Sequence, residues 1–301
     1  MTQDTLGIGD LARRTGLPVR TIRFYCDEGL LEPARSTGGH RRFDPAAVDR
    51  LNLVRRLRGL GLGLRSITDV LTGRRSLEEA VSAERAAVDR EVATLAWRRS
   101  VLRAVEESAP ADRAARLELL SAVEDGFAAH EVLVRLWHPM TTGPIPPDTA
   151  GMFLDVSAPR PPEQPTTGQV VAYASLVLLA ADRTLARHVR ASTLAGHDRI
   201  ADLGTLHTEV GAACALAFPA VAAGDPPSPG PALDRFVAAH ATALGMADNP
   251  QFRRALNHRT APDRDPRVRR YWHLAGEVTG EPAPLGVTHT WLLDALDRSV
   301  A

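Results

Sequence analysis

The stretch IGDLARRTGLPVRTIRFYCDEGLL, residues 8–31, reads as two short helices and the tight turn between them. Ile8 and Leu11 fall on the inner side of a helix over 8–16, which Gly16 ends. Pro18 opens the second helix, because proline suits a first turn, and Gly29 stops it after Glu28. Val19, Ile22 and Cys26 stand at i, i+3 and i+7, on one face. Arg20, Thr21, Arg23 and Tyr25 occupy the remainder. Two helices about a tight turn, the second carrying arginines, form a helix-turn-helix pattern.

The neighbouring text extends it. In EPARSTGGHRRF, 32–43, Gly38-Gly39 signals a hairpin turn and arginines flank it on both arms. Asp44-Pro45 caps a third helix with Leu51, Val54, Arg55, Arg56 and Arg58, and GLGLG at 59–63 breaks it. A fourth helix covers 65–72. Helix-turn-helix, basic hairpin, then two helices is the winged-helix order, over a domain of residues 1–75. Ser76 with Glu79 makes a capping box for a long helix over 76–108. There Val81, Val88, Leu95 and Leu102 repeat every seven residues with Val92 and Val105 beside them, the spacing of a dimerising coiled-coil seam. An amphipathic helix packed on its own chain is the plainer alternative.

Beyond Pro110 the chain is rich in Ala, Leu and Arg. Apolar residues recur at helical spacing at 113–137, 168–190, 199–217, 232–245 and 287–298, between proline-rich loops at 139–165 and 219–231. Residues 111–301 therefore read as an all-helical domain, and the fold class is mainly α. VRLWH (134–138) is echoed by RRYWH (269–273), and TAGMFLD (149–155) by THTWLLD (288–294), an order that fits an internal duplication, the alternative being chance similarity in an Ala/Arg/Leu-rich chain.

The totals narrow the function. At 301 residues the chain holds two domains of ordinary size. Its formal charge of zero hides an asymmetry: residues 1–75 carry fourteen arginines against eight carboxylates, and the rest is acidic. A basic end suggests a polyanionic partner. No apolar run reaches the ~18 residues of a membrane span, and the start lacks a basic, apolar leader. A cytoplasmic protein with no membrane partner is expected. Cys26 and Cys214 are too few for a disulfide framework or a four-cysteine cluster. Nine of the ten histidines lie beyond residue 129 without an HExxH or His-x-x-x-His pair. No metal site, cofactor or catalytic motif is expected, and Cys26 is expected to be packing rather than sensing.

The blocks IGDLARRTGLPVRTIRFYCDEGLL, GGHRRFDPAAVDRL and RRLRGLGLGLRSITDVL, in this order, resemble the MerR family of bacterial transcription regulators over residues 6–72. The resemblance implies a winged helix-turn-helix domain with a small β-hairpin wing. The helix at 76–108 then serves as a dimerisation helix, pairing as an antiparallel coiled coil, before an all-helical effector domain. It implies DNA contacts for Arg23, Tyr25, Arg41 and Arg42. Where the family often has tyrosines, this chain has Phe24, His40 and Phe43, which removes a hydroxyl from the second helix. The residues themselves add Arg20 and Thr21 for base edges, and Arg55 and Arg58, with Arg56, for the DNA backbone.

The family implies a homodimer on an inverted-repeat promoter site that distorts the DNA and reaches RNA polymerase indirectly. Residues 111–301 are loosely similar to the multidrug- and antibiotic-sensing branch, which implies an organic small-molecule effector such as an antibiotic or secondary metabolite. Trp137, His138, Tyr271, Trp272, His273 and Trp291 are the candidate contacts. The alternative is a repressor or architectural protein whose helical half binds a protein partner.

Overall fold

The computed structural model describes residues 5–35, 40–123, 126–142, 145–197 and 202–300; the Gly38-Gly39 turn lies outside them. The chain divides into two compact units, Met1–Val92 and Ala93–Ala301.

In the first unit β1 (Leu6–Gly7) leads into α1 (Ile8–Thr15) and α2 (Val19–Asp27). Then come β2 (Ala34–Arg35), β3 (Arg41–Phe43), α3 (Ala46–Gly59) and α4 (Leu64–Leu71). The expected hairpin is one strand larger. β3 is central in an antiparallel sheet of order β1-β3-β2, with Leu6 opposite Phe43 and Ala34 opposite Arg42. Two residues are too short for alternation to announce β1. Gly16 and Gly29 take left-handed φ of 70° and 75°, which accounts for glycine at both helix ends. Leu11, Ile22, Leu51, Val54 and Ile67 are fully buried and make the core of this unit with Phe43.

Three arginines donate to backbone carbonyls here, two of them at helix ends and Arg58 in the turn between α3 and α4. Arg55 donates to the carbonyl of Thr15 at 3.1 Å, Arg58 to Leu62 at 2.9 Å and Arg50 to Leu71 at 3.3 Å. Last-turn carbonyls lack intrahelical donors and carry the negative end of the helix dipole, so a guanidinium there serves twice.

α5 (Leu77–Glu106) starts in the first unit and ends in the second. Its capping box forms, Ser76 N donating to Glu79 Oε2 at 2.8 Å and Glu79 N to Ser76 Oγ at 3.0 Å.

The second unit is helical throughout its described residues. α6 (Arg113–Ser121) and α7 (Gly126–Trp137) lead to a 3-10 turn (His138–Thr141). α8 (Pro147–Ser157), α9 (Thr167–Ala181), α10 (Arg183–His197), α11 (Leu203–Ala222), α12 (Pro231–Ala243) and α13 (Pro250–Arg259) follow. A second 3-10 turn (Ala261–Arg264), α14 (Pro266–Thr279) and α15 (Leu285–Val300) complete it. α8 lies inside the expected loop 139–165, and α13 and α14 were not foreseen. Each has proline at its first position, where the missing N–H has no intrahelical partner to lose. The expected helix at 168–190 is two helices, broken at Asp182.

α9 is the hub. Val170, Ala172, Tyr173, Ala174, Leu176, Val177 and Ala180 are buried, and α6, α7, α10 and α14 pack on it. A second cluster joins α11, α12, α13 and α15 around Phe236, Leu292 and Leu296. α11 is long and apolar enough to cross a membrane by length and composition, which the run-length reading did not register. The same properties suit a core helix, and α11 packs on α12 and α15.

Two buried phenols tie helix ends across this unit. Tyr173 donates to Gly126 O at 3.1 Å and Tyr271 to Ser157 O at 2.6 Å. Tyr271→Phe leaves the Ser157 carbonyl without this donor at a buried position, so chemical denaturation should show a loss of about 1–2 kcal/mol with an unchanged m-value.

Candidate nucleic-acid interface and ligand cavity

α2 turns Ile22 and the ring of Tyr25 into the core and leaves Arg20, Arg23 and Phe24 exposed; Val19, Thr21 and Cys26 are half-buried. Tyr25, expected on phosphates, is therefore mostly a core residue. Burial raises the thiol pKa of Cys26, the Arg41 charge opposing it. Arg42 is exposed on β3, while Arg41 turns back and pairs with Asp27 of α2 at 3.2 Å. That pair fixes the wing against the second helix. Arg55 and Arg58, expected on the DNA backbone, donate to the carbonyls described above, and they are exposed along with Arg56. The surface so formed is a helix bearing Arg20 and Arg23 beside a strand bearing Arg42.

On α5, Ala80, Ala93, Ala96, Trp97 and Ala104 are buried. Val81, Val88, Val92, Leu95 and Leu102, the seam residues, are exposed, from 39% at Val81 to 62% at Leu102. An exposed apolar row at heptad spacing is the pattern expected of a helix that pairs with another.

The second unit contains a cavity of about 590 Å³, large enough for a drug-sized molecule. It lies where the two hydrophobic clusters of this unit meet. Trp137, Val268 and Trp272 belong to one side, and Val210, Cys214 and Leu285 to the other. Trp137 and Trp272 are tilted against each other with ring centroids 4.9 Å apart, and Phe153 meets Trp137 edge-on at 6.1 Å. Gly286 makes this wall possible: a methyl group there would overlap the Trp272 ring outright. Of the other candidates, Tyr271 is buried behind the wall, and His138 and His273 are exposed away from it. Trp291 donates from Nε1 to Asp225 O at 2.9 Å and does not line the cavity. The echoed motifs take different settings, Trp137 ending α7 and Trp272 in the middle of α14, yet their indoles meet.

The polar lining was not read from the sequence. His188 comes from α10, His207 from α11, His240 from α12, Arg259 from α13, Asp263 from the second 3-10 turn and His289 from α15. Six elements contribute one polar group each, so no local spacing betrays them. Burial holds the His240 imidazole down to about 3, His289 and Arg259 adding to the effect. Burial also lowers the pKa of His289 and raises that of Asp263, each opposing the other's shift. Burial pushes the Cys214 thiol up to about 11, so this cavity cysteine stays protonated. Among the described residues, no group of three or more His, Cys, Asp or Glu is disposed to hold a metal ion.

These elements define a winged helix-turn-helix protein with an appended helical unit. The family model described as MerR HTH family regulatory protein matches residues 6–74. The HTH-type transcriptional regulator CueR of Salmonella typhi is 30% identical over 123 residues, 36% of this chain and 86% of that protein. The chain belongs to the MerR family. Nodulation protein NolA of Bradyrhizobium sp. (strain NC92) is 37% identical over 97 residues, 32% of this chain and 41% of that protein. HmrR of Rhizobium leguminosarum bv. viciae is 38% identical over 66 residues, 22% and 51% of the two chains. The chain thus spans about two-fifths of the nodulation protein it matches. No solved structure matches it.

Two outcomes follow from the cavity. Gly286→Ala must displace Trp272, which should cost about 1–3 kcal/mol of stability and shift the tryptophan emission. Acid should also weaken the helical unit through His240. Its folded-state pKa lies below its unfolded value, so as pH falls from about 6.5 toward about 3 only the unfolded chain takes up the proton. Stability present above pH 6.5 is lost across that window, and His240→Phe should flatten the decline in thermal melts at pH 7, 6 and 5.

Proposed function

We propose that the protein is a transcription regulator that binds an inverted-repeat promoter site as a homodimer and alters the DNA path between the half-sites. The observation that carries this reading is the arginine-bearing α2 and wing strand of a MerR-family chain. Phosphate contacts from Arg23 and Arg42 set register, and Arg20 with Thr21 at the start of α2 reaches base edges in the major groove. The seam of Val81, Val88, Val92, Leu95 and Leu102 pairs two copies, which gives the site its two-fold symmetry. Such a protein works in the cytoplasm and touches RNA polymerase only through the shared promoter.

The helical unit then serves as the effector domain, with residues 1–75, 76–108 and 111–301 dividing the labour. The cavity supports an organic small molecule as effector: it is mainly apolar, walled by Trp137 and Trp272, and has a few polar groups to orient a ligand. Ligand binding needs only to favour one of two dimer conformations to change the promoter.

DNA recovered from a random pool supplies the operator for a direct test. Arg23→Ala and Arg42→Ala should each weaken binding and lower the salt slope by about 1, while Arg20→Ala should cost about 1–3 kcal/mol and relax specificity at one base pair. Arg55→Ala should lower the melting temperature instead, because its hydrogen bond to Thr15 is internal. A salt slope and affinity unchanged in both Arg23→Ala and Arg42→Ala would remove this face as the DNA contact. Val88→Glu combined with Leu95→Glu should yield monomers in sedimentation and abolish operator binding together with dimerisation.

A further inference from the structure

The polar groups of the cavity differ in how far the protein already uses them. Asp265, which does not line the cavity, is committed: it accepts from Arg267 and lies 3.8 Å from His188, and the Arg267 hydrogen bond holds its carboxyl down to about 2. Arg259 is also engaged within the protein. His188 is taken up by Pro262 O at 2.7 Å. Two residues before Asp265, the Asp263 carboxylate lines the cavity with no hydrogen bond or ion pair among the described residues. Its sequence neighbour Arg264 turns to Asn257 and to the carbonyl of Leu293. A half-buried carboxylate that opens on a cavity without a protein donor is available to a ligand that brings one.

Its place relative to the aromatic wall is fixed by α15. Gly286 carries the Trp272 ring, and His289, whose charge acts on Asp263, stands one turn further on the same face, a rise of roughly 4.5 Å. Trp137, Trp272, Asp263 and His289 line the same cavity, so one ligand can meet both the aromatic wall and the carboxylate.

Resting on the reading of the cavity as an effector site, we propose that its ligand is a planar aromatic amine or amidine, the ring against Trp137 and Trp272 and the protonated nitrogen on Asp263. Asp263 faces His289 from α15, His188 from α10 and Arg264 from its own turn; His240 and Arg259 stand behind His289. A bound cation requires the carboxylate ionised and His289 neutral. Any proton held by that pair leaves to solvent on binding, so affinity for the cation falls as pH is lowered.

Calorimetry of the full-length protein with three tricyclic probes tests this: 9-aminoacridine (cationic), acridine (neutral at pH 8) and acridine-9-carboxylate (anionic). The expected order at pH 8 is 9-aminoacridine about tenfold tighter than acridine, one desolvated charge pair's worth, with the carboxylate weakest. Buffers of different ionisation enthalpy should report proton release with 9-aminoacridine alone. Asp263→Asn should abolish the tenfold preference and leave acridine binding in place, while Asp263→Glu, equally folded by circular dichroism, should retain it. Equal affinity of the three probes, a preference surviving Asp263→Asn, or tightest binding of the carboxylate overturns the proposal and leaves the cavity a small-molecule site of another class. Binding of none of the three, with tryptophan emission unchanged, overturns the assignment to planar aromatics, and operator binding then judges the regulator reading by itself.

Discussion

The helical unit depends on a helix with almost no polar face. α9 is buried along most of its length, and four other helices take their positions from it. A Thr166–Gln169 capping box starts this helix, but packing holds it, each fully buried Leu or Val contributing about 1.5–3 kcal/mol. Its alanines matter as much as its larger residues. Ala172, Ala174 and Ala180 let neighbouring helices approach closely, and Tyr173 fills the remaining depth while its hydroxyl satisfies the start of α7. α11, α12, α13 and α15 cannot all reach α9, so they assemble around Phe236 as a second core. The cavity is the space between two cores that cannot merge.

The winged unit works by a different economy. It is small, so its helix ends must be satisfied from within. Arginines do this at Thr15 and Leu71, and Arg58 does it for the Leu62 turn, while Arg20, Arg23 and Arg42 remain outward. A single residue type thus has two roles in one fold. Composition counts both as positive charge, and only the fold separates the arginines that bond the backbone from those left outward. Arg41 stands between the two, joining the wing to α2 through Asp27.

This division explains what the sequence made legible. In the first unit most helix boundaries carry a local mark: Gly16, Pro18, Gly29, Asp44 and the Ser76–Glu79 box. Those marks act through hydrogen bonds and dihedrals a few residues apart, so reading them along the chain succeeds. The helical unit is punctuated chiefly by proline, which ends one helix and begins the next with equal ease. Taking prolines as loop signals hid α8, α13 and α14. Trp137 and Trp272 were legible as cavity residues because their flanking pentapeptides repeat. Asp263, His240 and His289 were not, since their proximity arises from the packing of three separate elements.

The seam between the two cores has a mechanical meaning. Around the cavity, α14 and α15 are joined by the five residues 280–284. Two cores that meet across a gap are expected to melt as two overlapping transitions. An object that fills the gap touches both, so opening either core exposes it. It acts as a keystone: the two transitions draw together into one sharper event, and heat capacity traces report the occupant through the width of the melting peak as well as its position.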